Sequence, residues 1–323
     1  MTHSEAAEHA DRLRELLHLA CPDAPAWAIK STAEAITRHA EEMPREPVPE
    51  TAGLTRPRPH SDPALFETDR LLSRVDLSGA ALSRVDLSGA DLSGGDLSNA
   101  DLSGADLTRA KLSRANLIGA DLTRAVLTHA NLIGADLSGA KLISADLHGA
   151  DLARAKLISA DLHGANLAYT GLISADLSGA NLTYARLTDA LLMDANLTDA
   201  SLVGANLADG LLTGADLTGA DLTSADLTRV NLSGANLISA DLTHANLTSA
   251  DLAGADLSGA NLISATLLSA SNMRLPVGAT WNRETMWPAE LVRTIAEHSD
   301  EVSPGVYQVR GGGRSSDRDT AGV

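Results

Sequence analysis

From Leu72 to Leu267 every fifth residue is leucine, without exception, forty times in succession. Alanine stands two residues before the leucine in 33 of these 40 places, the others being Arg70, Val75, Val85, Gly95, Thr170, Gly210 and Val230. Between the two apolar residues lies Asp in 18 units and Asn in 10. Ser or Thr usually follows the leucine, and Gly most often closes the unit. A period of five fits neither standard element. On a helix five residues advance about 500°, so the leucines would wander over every face. On a straight strand an odd period would send successive leucines to opposite faces. The chain therefore has to turn within every unit. In a short extended piece residues two apart point the same way, so Ala and Leu face inward together and the polar residue between them faces out. Gly, Asn, Asp and Ser supply the turn. The predicted element is a coil whose sides are single pentapeptides, stacked by backbone hydrogen bonds.

Residues 100–139 read ADLSGADLTRAKLSRANLIGADLTRAVLTHANLIGADLSG. On this pattern the chain resembles the pentapeptide-repeat family over roughly residues 70–269, more than 60% of its length. The resemblance implies a mainly β fold: a right-handed four-sided β-solenoid with four pentapeptides per coil, about ten coils for forty units. At a strand spacing of about 4.8 Å, such a rod would be on the order of 48 Å long. Residues 142–156, 157–171 and 172–186 are near copies of a 15-residue unit, three sides of a four-sided coil. Each copy lands one face further round, as tandem duplication would leave it.

The flanks read differently. Residues 1–43 suggest a helical hairpin broken at Cys21-Pro22-Asp23, with Ile29, Ala33, Ile36, Ala40 and Met43 forming a packing stripe on the second helix. Residues 44–66 are a Pro-rich, semi-rigid linker. The solenoid is assigned to 67–270 and a C-terminal cap to 271–309, because an open solenoid end leaves backbone and leucine uncovered. The cap is expected to hold a short helix after Pro288 and a strand at Val306–Val309, and Trp281, Met286, Trp287, Leu291 and Ile295 would anchor it, or else a homodimer. Residues 310–323 are expected to be a flexible tail.

Composition sharpens this picture. Aromatics make up only 2% of the chain against 44% apolar residues overall, so the core has to be aliphatic. The single cysteine, Cys21, rules out an intrachain disulfide and suggests a reducing, cytoplasmic setting. No apolar run is long enough for a membrane span. The net charge of −17 argues against direct nucleic-acid binding and permits a basic partner.

No cofactor, metal or catalytic constellation is expected. His129, His148, His163 and His244 have no second histidine at ligand spacing, and the Asp residues recur singly, as solvated surface does. Sorting the charge by face at four units per coil gives one acidic face: Asp76, Asp96, Asp136, Asp176, Asp199, Asp216 and Asp256 against Lys156 alone. The chain therefore reads as a non-enzymatic scaffold that binds a protein partner through flat acidic faces, through the N-terminal appendage, or through both. The resemblance implies an alternative. Quinolone-resistance members of the family use an acidic rod as a duplex-DNA mimic on DNA gyrase. Two features differ from those members: no Phe occupies the central inward position here, and no loop interrupts the phase.

Overall fold

The computed structural model describes residues 74–310. The hairpin expected at 1–43, the linker at 44–66 and the tail beyond Arg310 lie outside the described residues. The chain divides into two compact units, one ending at Asn166 and one beginning at Leu167. The same construction recurs inside each.

Backbone hydrogen bonds explain why five residues close a side. In the first unit, Asp96 N–H donates back one coil to the Val75 carbonyl (2.8 Å), and Leu97 N–H donates forward one coil to Asn116 (2.7 Å). Asn99 N–H donates forward to the Ile118 carbonyl (2.8 Å), and Gly95 N–H closes the preceding turn onto Leu92 (3.1 Å). That leaves Ser98, whose amide donates to the Asp96 side chain (2.9 Å). In the second unit, Ala215, Asp216, Leu217 and Gly219 make the equivalent backbone bonds, and the Thr218 amide donates to Asp216 Oδ1 at 3.0 Å. Every amide of such a pentapeptide is satisfied, which a water-free stack of turns requires. The bridges are parallel and join residues 20 apart, such as Asp101↔Asp121 and Asp221↔Asp241, so four pentapeptides make one circuit.

The turn has a fixed handedness of backbone. The last residue of every unit, from Arg74 to Ser269, has φ between +54° and +72°. The carbonyl of the leucine accepts from the amide three residues on, as in Ala80 N to Leu77 O at 3.0 Å. A positive φ at the third position of such a turn is the type II requirement, which favours Gly or Asn. The sequence meets it less strictly than turn chemistry alone suggests. Arg109, His129, Tyr169, Tyr184 and Arg229 all occupy this left-handed position, at a cost of about 1 kcal/mol each. The surrounding ladder holds them there. Several of these side chains lie across a glycine one coil later: a Cβ built on Gly204 would come within 2.6 Å of the Tyr184 ring.

The interior is as narrow as its composition. Leu92 to Leu252 are fully buried at every fifth position, and the inward alanines from Ala100 to Ala270 are at most a few per cent exposed. Tyr169 and Tyr184 stay outside, about 60% exposed at the corners. Close packing of a single residue type in layers leaves little room for change. At Gly210, an inward position without a side chain, a Cβ would come within 2.9 Å of the Leu207 carbonyl and 3.2 Å of Leu212 Cδ1.

The second unit ends in a different architecture. Strand β1 (Thr280–Asn282) is followed by helix α1 (Val292–Glu297), β2 (Ser299–Ser303) and β3 (Val306–Val309), and the sheet order is β1-β3-β2, antiparallel. The segment answers the last coil's open bonds. Gly259 N–H donates to Val277, Leu262 to Thr280 and Leu267 to Met286. Thr285 Oγ1 adds a bond to the Leu262 carbonyl at 2.8 Å.

The positive φ makes a clean test. At Gly254 (φ +72°) an added Cβ would meet only Gly234 backbone atoms at 3.9 Å, an ordinary contact. Gly254→Val should therefore cost about 2 kcal/mol through backbone conformation alone, read as a lowered urea midpoint at unchanged slope. A neutral outcome would mean that the turn does not require the left-handed conformation.

Candidate functional site

The structure separates the seven aspartates of the expected acidic face into two groups. In the first unit Asp76, Asp96, Asn116, Asp136 and Lys156 form one ladder of parallel bridges. Asn116 Nδ2 donates to Asp96 Oδ1 (3.0 Å), and Lys156 Nζ pairs with Asp136 Oδ2 (3.3 Å). In the second unit Asp176, Asn196, Asp216, Asn236 and Asp256 form another ladder. Asn196 Nδ2 donates to Asp176 Oδ1 at 3.0 Å. Asp199 is not in the ladder; it ends its own turn at φ +56° and lies across Gly219. The pentapeptides on this face of the second unit carry no base. The pentapeptides of the second unit therefore put four carboxylates on one face with no cation of their own, although Arg274 of the following segment lies near enough to Asp256 to lower its pKa, whereas the first unit pairs off Asp136.

The alternation has an electrostatic reason. Stacked residues stand about 4.8 Å apart, close enough for like charges to repel. An amide between two carboxylates doubles that separation to roughly 10 Å, near the Debye length at physiological salt. Where a lysine replaces the amide, it pairs along the column, Lys111 with Asp91 (3.4 Å) and Lys141 with Asp121 (3.7 Å), and at a corner Arg229 pairs with Asp209 (2.6 Å).

Most of these carboxylates also have a local role that the sequence did not reveal. Asp76, Asp96, Asp136, Asp176, Asp216 and Asp256 each accept from the amide two residues on, at 2.9–3.1 Å. Ser138 and Thr218 add their hydroxyls to the same oxygen at 2.6 Å. This explains two consensus positions together: Asp or Asn supplies the acceptor, and Ser or Thr supplies a second donor. It also moves the pKa values. The Ser88 hydroxyl and amide hold Asp86 below the ordinary carboxylate value, and Thr123 does the same for Asp121 and Ser258 for Asp256. At Asp136 partial burial pushes the other way and is outweighed by Ser138 and Lys156. At another corner Asp189 raises the Tyr169 phenol by accepting its hydrogen bond.

The expected cap or dimer anchors are divided by burial. Trp287 and Ile295 are buried within the C-terminal segment, and Trp281 sits against Trp287 (centroids 6.0 Å) and Tyr307 (4.8 Å). Trp281 Nε1 donates to Ser299 Oγ at 3.0 Å. Leu291 is half-buried just before α1, and Met286 stays 51% exposed at an isolated parallel bridge to Thr266. Leu211, at an outward position where Asp or Asn is usual, is also exposed. Among the described residues no group of three or more His, Cys, Asp or Glu is placed to hold a metal ion. None of the helices described is long and apolar enough to cross a membrane. Two histidines do meet: the His129 and His148 rings lie 5.9 Å apart. Spacing along the chain hid this pair, because they are neighbours only through the 20-residue circuit.

A family model described as pentapeptide repeats (8 copies) matches residues 71–109, 105–142, 135–168, 145–183, 171–207, 200–237 and 240–271. No curated protein matches the chain. Among solved structures, the chain is similar to HetL, a pentapeptide repeat protein involved in heterocyst differentiation regulation from the cyanobacterium Nostoc sp. strain PCC 7120. The two share 36% identity over 62% of this chain and 86% of that one, with a TM-score of 0.33. A pentapeptide repeat protein of the Arabidopsis thaliana thylakoid lumen shares 36% identity over 27% of this chain and 61% of its own, with a TM-score of 0.27. Full-length QnrB1, a plasmid-mediated fluoroquinolone resistance protein, shares 18% identity over 62% of this chain and 98% of its own, with a TM-score of 0.35.

The side-chain acceptor makes two predictions. Asp216→Ala should cost about 1 kcal/mol, as loss of a comparable helix cap does, while Asp216→Asn should be close to neutral in urea unfolding. Equal losses from both would show that charge, not the acceptor, matters. The second concerns acid. The depressed carboxylates are protonated more readily in the unfolded chain, whose reference value is 3.8. Their contribution is therefore fully present above that value and is lost as pH falls through the lower folded values. Urea midpoints should hold between pH 7 and 5 and drop below about pH 4. Asn at Asp86, Asp121 and Asp256 should flatten that drop.

Proposed function

The chain belongs to the pentapeptide-repeat family, and on that premise we propose that it is a non-enzymatic scaffold binding a basic protein partner through a flat acidic face. In this reading forty units make ten coils, closed by the segment 271–309, and residues 1–43 on the linker 44–66 offer a second point of attachment. The observation that carries it is the face of the second unit with Asp176, Asp199, Asp216 and Asp256, whose pentapeptides carry no base. Each ladder carboxylate there is fixed by a backbone amide, so a partner's lysines and arginines would meet charges already ordered. Little side-chain entropy then remains to be lost on binding. Charge on a rigid surface acts chiefly through association rate and specificity.

A gyrase-directed DNA mimic is the second reading. Acidity and family membership favour it. The spacing does not: the ladder presents one charge per roughly 10 Å, against about 3.4 Å along each strand of duplex DNA. Neither reading calls for a cofactor, and both fit a cytoplasmic protein.

The test removes charge without removing the turn bond. In the Asp176→Asn, Asp216→Asn, Asp256→Asn triple variant the acceptor oxygens remain, so circular dichroism and urea unfolding should match the parent. Partners retained by the parent at low salt should be lost from the triple variant and kept by a chain lacking residues 1–63. The reverse pattern would transfer the binding role to the appendage. DNA gyrase supercoiling, with and without a fluoroquinolone, separates the second reading. Inhibition or drug protection that vanishes in the triple variant would put the mimic first.

A further inference from the structure

The four-pentapeptide circuit places two imidazoles side by side that are 19 residues apart in the chain. His129 ends one unit and His148 is the fourth residue of the unit one coil later. The His129 amide donates to the His148 carbonyl at 3.0 Å, so the two backbones are locked together. The His148 amide is held in turn by Asp146 Oδ1 at 3.1 Å. His129 sits at the left-handed corner with φ +57°, and its ring lies over Gly149. A Cβ on Gly149 would come within 2.6 Å of His129 Nδ1, so the ring depends on that glycine for its berth. The ring centres are 5.9 Å apart and the planes cross at 74°.

This separation lies at the wide end of what two rings sharing an ion span. Two imidazoles that share a zinc ion at about 2.0–2.1 Å from each nitrogen have ring centres roughly 5–6 Å apart. His129 is exposed and His148 half-exposed, so water can complete the coordination. Two nitrogens suit a borderline cation such as Zn²⁺, Ni²⁺ or Cu²⁺ rather than Ca²⁺ or Mg²⁺, which take oxygen. We propose that His129 and His148 form a two-histidine chelate for a borderline divalent cation, preorganised by the backbone ladder and by Gly149. Arg109 stands one coil earlier in the same corner column, and its charge opposes cation binding there. The proposal does not depend on the scaffold reading.

Zinc chloride titrated calorimetrically into the full chain at pH 7.5 tests it. The variants follow the repeat's own usage: His129→Asn copies the corner residue Asn99, and His148→Thr copies Thr128 one coil earlier. Each should remove one binding event or weaken it about tenfold or more, as loss of one arm of a chelate does. His244→Ala should leave the event intact. Gly149→Ala, with both histidines present, should also weaken binding because it displaces the ring. Unchanged circular dichroism would show that each variant is folded. Isotherms that superimpose on the parent would overturn the proposal. So would loss in only one histidine variant, which would mean a single ligand and no chelate.

Discussion

One backbone amide per pentapeptide has no backbone partner, and much of this protein's surface follows from it. Of the five amides in a side, three bond to neighbouring coils and one closes a turn. The fourth residue's amide points at its own unit, and the side chain two residues earlier accepts it. Only Asp and Asn reach that amide with the right length and chemistry. The acidic character of the chain is therefore first a preference of the turn. Where an acceptor stands, function can draw on whether it is the charged or the neutral one.

That choice is where the two units differ. The ladder Asp176, Asn196, Asp216, Asn236, Asp256 alternates charge with amide, and the amide donates to its neighbour. The corresponding ladder of the first unit ends in an Asp136–Lys156 pair. Both arrangements relieve repulsion between stacked carboxylates; the first-unit ladder keeps three carboxylates against one lysine, and the second keeps three with no base in the ladder. The outward leucine at 211 is the converse case: it offers its turn no acceptor and adds exposed apolar surface.

The corners impose a second constraint. Each unit ends in the left-handed region, and more than half of the units meet that need with a residue other than glycine. The ladder bonds on either side over-determine the conformation, so individual residues carry the strain. The benefit is positional. A side chain at such a corner is laid over the next coil, as His129 is over Gly149 and Tyr184 over Gly204. A corner residue is thereby placed relative to a neighbour that is distant in sequence.

By itself the sequence determined the coil. A leucine every fifth residue, with alanine two before it, admits only a chain that turns within each unit and buries that pair, because no helix or straight strand keeps a period of five on one side. It also determined that the core would be aliphatic. It did not show what the aspartates do: an acceptor for a local amide and a solvated surface carboxylate are the same letter. Nor did it show that His129 and His148 meet, since their contact exists only through the 20-residue circuit. The division of the acidic residues between two ladders, the neutralisation of Asp136 and the burial of Trp287 and Ile295 likewise depend on which coil lies beside which. Local pattern fixes what each pentapeptide must do; stacking decides which side chains become neighbours.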